Sequence, residues 1–196
     1  NKNIQSLSLE SLRQCIKIVS QNTPLFKGTL KENITFFNGN IADNDILDFI
    51  GQYGFEPWLN RFTQGLHTYM GNGSKDLSVG EKYILSCLRV GITKPRCIIY
   101  DEYENQFDRL TQRMVFNAMS KSSKFKTTIV LSNHLLPDTH FDHHFVLDQG
   151  ILCKQNQQSN TPLPQNVNLP DWYLSPETPP YDSVHHSPQR RLHAFT

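Results

Sequence analysis

The sequence predicts an α/β protein built on a largely parallel sheet, and three observations carry that expectation. Two continuous apolar runs, Cys97-Ile98-Ile99-Tyr100 and Thr128-Ile129-Val130-Leu131, have the length of strands buried on both faces. Between and around them lie stretches with apolar residues at helical spacing: Glu81 to Ile92, with Ile84, Leu85 and Leu88, and Leu110 to Ser120. Strand and helix thus alternate along the chain, as they do where parallel strands are joined by helical crossovers. In such sheets ligands bind beyond the carboxyl ends of the strands. Residues that directly follow an apolar strand are therefore the first candidates for chemistry.

The remaining elements fit the same plan. Ile16-Lys17-Ile18-Val19 reads as a short strand, and Ile41 to Gly51 as a helix with apolar Ile46, Leu47, Phe49 and Ile50. Pro95 breaks the chain ahead of the strand at Cys97. His144 to Leu147 and Ile151 to Lys154 flank Asp148-Gln149-Gly150, a hairpin turn. The body ends near residue 154. Residues 155–196 hold seven of the eleven prolines and no glycine, and are rich in Gln, Asn and Ser. Such a composition buries too little apolar surface to offset its ordering entropy, so this stretch is expected to be a largely disordered tail. Pro176-Glu177-Thr178-Pro179 fits a PxxP peptide, a match that mostly marks linker.

Composition excludes several classes. A length of 196 residues allows one domain and a small appendage. Nineteen Lys and Arg against eighteen Asp and Glu leave a net charge of +1, which gives no field for nucleic acid or an anionic membrane. No apolar run approaches the length of a spanning helix, and Asn1-Lys2-Asn3-Ile4 is not the start of a signal peptide. Cys15, Cys87, Cys97 and Cys153 show no CxxC spacing and read as thiols of a reducing compartment. Asp138, His140, Asp142, His143 and His144 crowd together, but period-two alternation in the strand they enter splits them between faces and argues against a metal site.

Asp101 and Glu102 follow directly on an apolar strand. A carboxylate there can hold the water shell of a magnesium ion bound to phosphates, and a second can orient and deprotonate an attacking water. A polar strand end without chemical consequence is the competing reading. His134 follows the next strand in the same way and is, by itself, more often a plain surface histidine.

Spacing changes that balance. Leu77-Ser78-Val79-Gly80-Glu81 precedes a helix, then Pro95, the strand Cys97 to Tyr100, and Asp101-Glu102. This order resembles the ATP-binding-cassette (ABC) family, whose LSGGQ signature, helix, proline and Walker B strand fall at the same offsets. Arg89 matches the arginine of the family's ARA stretch, Asp108 the last residue of its SALD loop, and His134 its switch histidine. Gln21 begins Gln21-Asn22-Thr23-Pro24-Leu25-Phe26-Lys27-Gly28-Thr29-Leu30-Lys31-Glu32-Asn33-Ile34, which is similar to the exporter Q-loop pattern. Gly65-Leu66-His67-Thr68 and Gly71 fit the exporter approach to the signature. The resemblance covers about residues 4 to 152.

The resemblance implies a partial P-loop NTPase-type core sheet carrying an ABC helical subdomain, within residues 1–154. It implies two such domains facing head to tail, with ATP between them and Mg2+ on its phosphates, coupled to a transmembrane domain or subunit at the cytoplasmic face of a membrane. Asp101 and Gln21 would hold the magnesium ion, Asp101 through water. Glu102 would be the general base, and His134 would contact the γ-phosphate and the attacking water. Leu77, Ser78, Gly80 and Glu81 would face the partner's nucleotide, and Asp108 would bridge the two domains. The segment from Ile41 to Tyr69 would receive the coupling helices.

Several positions depart from the family. Val79 replaces the first glycine of the GG pair, where a β-branched side chain hinders close approach of backbone to phosphate. Glu81 replaces glutamine and adds a negative charge, an ordinary variant at this place in the family; Tyr83 and Ile84 replace a polar pair; Asn72 replaces a glutamate. Tyr103-Glu104-Asn105-Gln106-Phe107 replace ATSAL, leaving only Asp108 of that loop. No GxxxxGK[ST] loop occurs, and Gly71-Asn72-Gly73-Ser74-Lys75 lacks both the Gly-Lys step and a leading strand. The phosphate loop and the adenine-stacking aromatic are therefore expected before residue 1. A non-catalytic fragment or degenerate domain acting in dimerisation or regulation is the alternative function. A DNA-repair ABC ATPase is disfavoured by the neutral charge.

Overall fold

A computed structural model of the chain describes residues 3–71, 77–101, 107–124, 126–132, 141–148, 151–155 and 190–195. In chain order the elements are α1 (Leu9–Cys15), β1 (Ile16–Val19), β2 (Gly28–Thr29), α2 (Leu30–Thr35), α3 (Asp43–Tyr53), α4 (Glu56–Leu59) and β3 (Tyr69–Met70). There follow α5 (Val79–Ile92), β4 (Cys97–Tyr100), α6 (Arg109–Ser123), β5 (Thr127–Ser132), β6 (His143–Asp148), β7 (Ile151–Gln155) and β8 (Arg190–Phe195). The fold class is α/β, as the alternation of apolar strands and helices predicts.

The apolar runs build the parallel part of the sheet. β1 pairs with β4 and β4 with β5, all parallel, with Val19, Tyr100 and Val130 level with one another. A parallel neighbour requires a crossover, and α6 supplies the one between β4 and β5. Parallelism stops there, which corrects the expectation of a largely parallel core. The full order is β1-β4-β5-β8-β6-β7, and β8, β6 and β7 join by antiparallel pairing. The predicted hairpin is the β6–β7 pair, with Asp148 opposite Ile151.

β8 also corrects the tail. Gln155 closes β7, and Arg190–Phe195 form a strand between β5 and β6; residues 156–189 lie outside the described residues. β5 and β6 run the same way one strand apart, so their facing edges carry backbone donors and acceptors that need partners. Composition ranks a segment by the apolar surface it buries. It has no means of registering two open edges that one strand can satisfy.

α5 is the centre of the body. Tyr83, Ile84, Leu85 and Leu88 are fully buried, so the helix is apolar nearly all round, as a helix enclosed by other elements must be. α3 lies across it at Gly91, where a Cβ would come within 2.1 Å of the Phe49 ring. That ring in turn stacks on Tyr53 at 4.3 Å. α6 meets the other end of α5 at Gly80, where a Cβ would lie 3.0 Å from Thr111 Cγ2.

Candidate functional site

The carboxyl ends of the parallel strands bring two of the predicted residues to one edge. Val19 and Tyr100 are paired, so the chain leaves β1 toward Gln21 and β4 toward Asp101 side by side. The Asp101 amide continues the ladder by donating to the Val19 carbonyl at 2.9 Å. Glu102 and His134 lie outside the described residues.

One stripe of α5 holds this edge from behind. The Tyr83 hydroxyl donates to the Asp101 carbonyl at 3.2 Å, with its ring 5.0 Å from that of Phe107. One turn on, Ser86 Oγ accepts from the Ser20 amide at 3.1 Å, beside Gln21. One turn further, the Arg89 guanidinium donates to the carbonyls of Pro24 (2.8 Å) and Asn33 (2.6 Å) and to Asn33 Oδ1 (3.1 Å). Residues three apart share a helix face, so positions 83, 86 and 89 form a single polar line beyond the charged first turn of the helix. By sequence, Tyr83 is a departure from the family pattern and Arg89 has no assigned task. The sequence signal for both is that polar line at spacing three.

The stretch after Gln21 has a physical reason for most of its letters. Thr29 and Glu32 form a reciprocal capping box at the start of α2: the Glu32 amide donates to Thr29 Oγ1, and Glu32 Oε2 accepts from the Thr29 amide. The Thr29 amide foremost, and then the Thr29 hydroxyl at 3.0 Å, donate to Glu32 Oε2 and hold the Glu32 carboxyl below the usual carboxylate range. Asn33 is fully buried, and its amide group spans the turn, donating to the Phe26 and Thr29 carbonyls and accepting from the Phe26 amide. Gly28 has φ +148°, and a Cβ there would meet Glu32 Oε2 at 2.7 Å, so the box closes only over a glycine. Phe36 ends α2 in the left-handed region at φ 51° and lays its ring 4.7 Å from the Arg89 guanidinium carbon, with Phe26 at 5.3 Å. A bulky residue rarely adopts that backbone, and the cation–π contact is what the conformation gains here. Burial pushes the Arg89 pKa down to about 10, which leaves it a cation at neutral pH.

The start of α5 is a second capping box. Ser78 Oγ accepts from the Glu81 amide at 3.3 Å, and Glu81 Oε2 accepts from the Ser78 amide at 2.8 Å. Of the first-turn amides, those of Val79 and Gly80 have neither an intrahelical acceptor nor a cap. Gly80 faces Thr111 and Phe107, so its missing side chain serves the α5–α6 contact. Val79 is half exposed and turns away from the core. Leu77 is buried in the core.

Asp108 is the N-cap of α6. Its two carboxylate oxygens accept from the Thr111 amide (3.0 Å) and hydroxyl (2.6 Å). Burial opposes ionisation, but the Thr111 and Leu110 hydrogen bonds outweigh it and hold the carboxyl below the ordinary range. A depressed carboxyl stabilises the fold above its unfolded pKa, and that contribution is lost as pH falls through the folded value. Asp108→Ala is thus expected to lower unfolding stability by about 1 kcal/mol at neutral pH. The difference should fade below about pH 4, measured by denaturant titration across pH.

No family profile matches the chain. Curated proteins do. It is 31% identical over 154 residues to the human mitochondrial iron-sulfur clusters transporter ABCB7, covering 79% of this chain and 20% of that protein. It is 30% identical over 152 residues to a probable multidrug resistance ABC transporter ATP-binding/permease protein, YheI, of Bacillus subtilis, covering 78% of this chain and 26% of the relative. Against an ATP-dependent lipid A-core flippase of Francisella novicida it is 29% identical over 147 residues, 74% of this chain and 25% of the flippase. The chain thus spans between a fifth and about a quarter of the length of these relatives. They support an ABC transporter domain.

Proposed function

From homology to ABC transporters over some four-fifths of the chain, we propose that residues 1–154 run from the Q-loop to the C-terminal hairpin of an exporter-type nucleotide-binding domain. Complete, that domain would bind and hydrolyse MgATP and drive export through a transmembrane partner, fused or separate, at the cytoplasmic face of a membrane. The observation that supports this most is the shared strand edge, where Gln21 and Asp101 follow directly on paired β1 and β4. Among the described residues no helix is long and apolar enough to cross a membrane. No GxxxxGK[ST] loop occurs in the sequence, so in this reading the phosphate cradle lies outside these residues.

One carboxylate and one amide at neighbouring strand ends suit magnesium, which takes few protein oxygens and keeps much of its water. Asp101 and Gln21 would hold the ion, which supplies charge neutralisation on the phosphates. Glu102 would take the proton of the attacking water, and His134 would hold the γ-phosphate. Ser78 and the amides of Val79 and Gly80 would face a second, head-to-tail copy of the domain, with Leu77 and Glu81 fixing that loop. Asp108, already the cap of α6, would lie near the same boundary, and Ile41 to Tyr69 would receive the coupling helices.

A second reading, a non-catalytic domain acting in dimer contact or regulation, is favoured by one observation: the exposed Val79 side chain at the mouth of α5. The chain alone tests the missing cradle. Titrated with a fluorescent ATP analogue, it should bind weakly and show no hydrolysis above background. Micromolar binding with turnover would mean that the phosphate site lies within these residues.

A further inference from the structure

Glu81 puts a carboxylate at the end of α5 whose amides the reading above assigns to the partner's γ-phosphate. Its side chain is nearly buried and fixed by the cap, with Oε2 on the Ser78 amide. Its other oxygen, Oε1, lies 3.0 Å from Arg61 Nη1. Arg61 stands on a turn after α4, where its amide donates to the Trp58 carbonyl. Trp58 and Phe62 anchor that turn with an edge-to-face contact at 5.1 Å. The backbone of Arg61 is thus anchored beside the α5 terminus, and its guanidinium reaches Glu81 while 60% of the side chain faces solvent.

The charges decide what this does. A helix N-terminus carries roughly half a positive charge, so a bare carboxylate in its first turn reverses the local sign toward an incoming polyphosphate. Pairing with Arg61 restores it. We propose that Arg61 is a positioning residue of the phosphate-facing end of α5, acting by neutralising Glu81. The inference rests on the proposed ABC reading. It predicts a specific pattern of rescue, because glutamine at 81 can keep the cap through its side-chain oxygen without the charge.

The test is MgATP turnover and ATP-driven dimerisation of the full-length gene product. Arg61→Ala should raise the ATP concentration needed for half-maximal turnover about 5–10-fold, with kcat at saturation little changed. Arg61→Ala with Glu81→Gln should return it to near the wild-type value, and Arg61→Lys should largely preserve it. Equal thermal midpoints for Arg61→Ala and the double variant would set folding aside. An unchanged KM in Arg61→Ala, or an equal loss with glutamine at 81, would overturn the role of Arg61 and leave the ABC reading intact. A wild-type product that neither binds nor hydrolyses MgATP would overturn that reading and this inference together.

Discussion

Arg89→Met should lower the stability of the full chain by about 3 kcal/mol, a large share of what a domain of this size has to lose. The side chain is buried, 4% exposed, yet the described ion pairs give it no carboxylate. Its charge is held by two backbone carbonyls, one amide oxygen and the faces of Phe26 and Phe36. Methionine fills much of the volume but leaves the Pro24 and Asn33 carbonyls without that donor, and Asn33 itself already serves three backbone groups. Lysine keeps the charge but not the planar fork, so Arg89→Lys should fall between methionine and wild type. Denaturant unfolding of the three proteins checks this. Equal midpoints for lysine and arginine would show that charge alone matters and that the fork geometry does not.

The same residue shows where sequence reading succeeds and where it stops. α5, α6, β1, β4 and β5 were legible because each is long or apolar enough for its period to show. α2 and α4, of six and four residues, are shorter than two helical turns and carry no readable period. α2 was present in the sequence in another form, as the Thr29–Glu32 capping box and the Gly28 it requires. For the site, the strand rule points to Asp101 because it depends only on chain direction, whereas Gln21 is reached only through the family resemblance. Partnerships across long separations were not legible. Nothing local in Arg61 points to Glu81, and nothing in Ser20 points to Ser86. Val79 illustrates a subtler limit: the substitution was visible, but its half-exposed orientation depends on how α5 packs against α6.

In the full-length gene product, Glu102→Gln should lower ATP turnover by at least about 100-fold while leaving nucleotide binding in place. β4 ends at Tyr100, Asp101 continues its ladder through the Val19 carbonyl, and Glu102 is the next residue. In the proposed reading the first carboxylate serves the ion and the second the water, so exchanging the second for an amide removes the proton acceptor. Glutamine matches glutamate in shape and leaves Asp101 and Gln21 untouched. Binding and turnover should therefore separate, and nucleotide should accumulate as bound ATP with the dimer trapped closed. Turnover by colorimetric phosphate release, paired with sizing in MgATP, reads both. Loss of binding together with turnover would place Glu102 among the ligands of the ion or phosphate. Undiminished turnover would remove it from the reaction, and the base would have to be sought elsewhere on that strand edge.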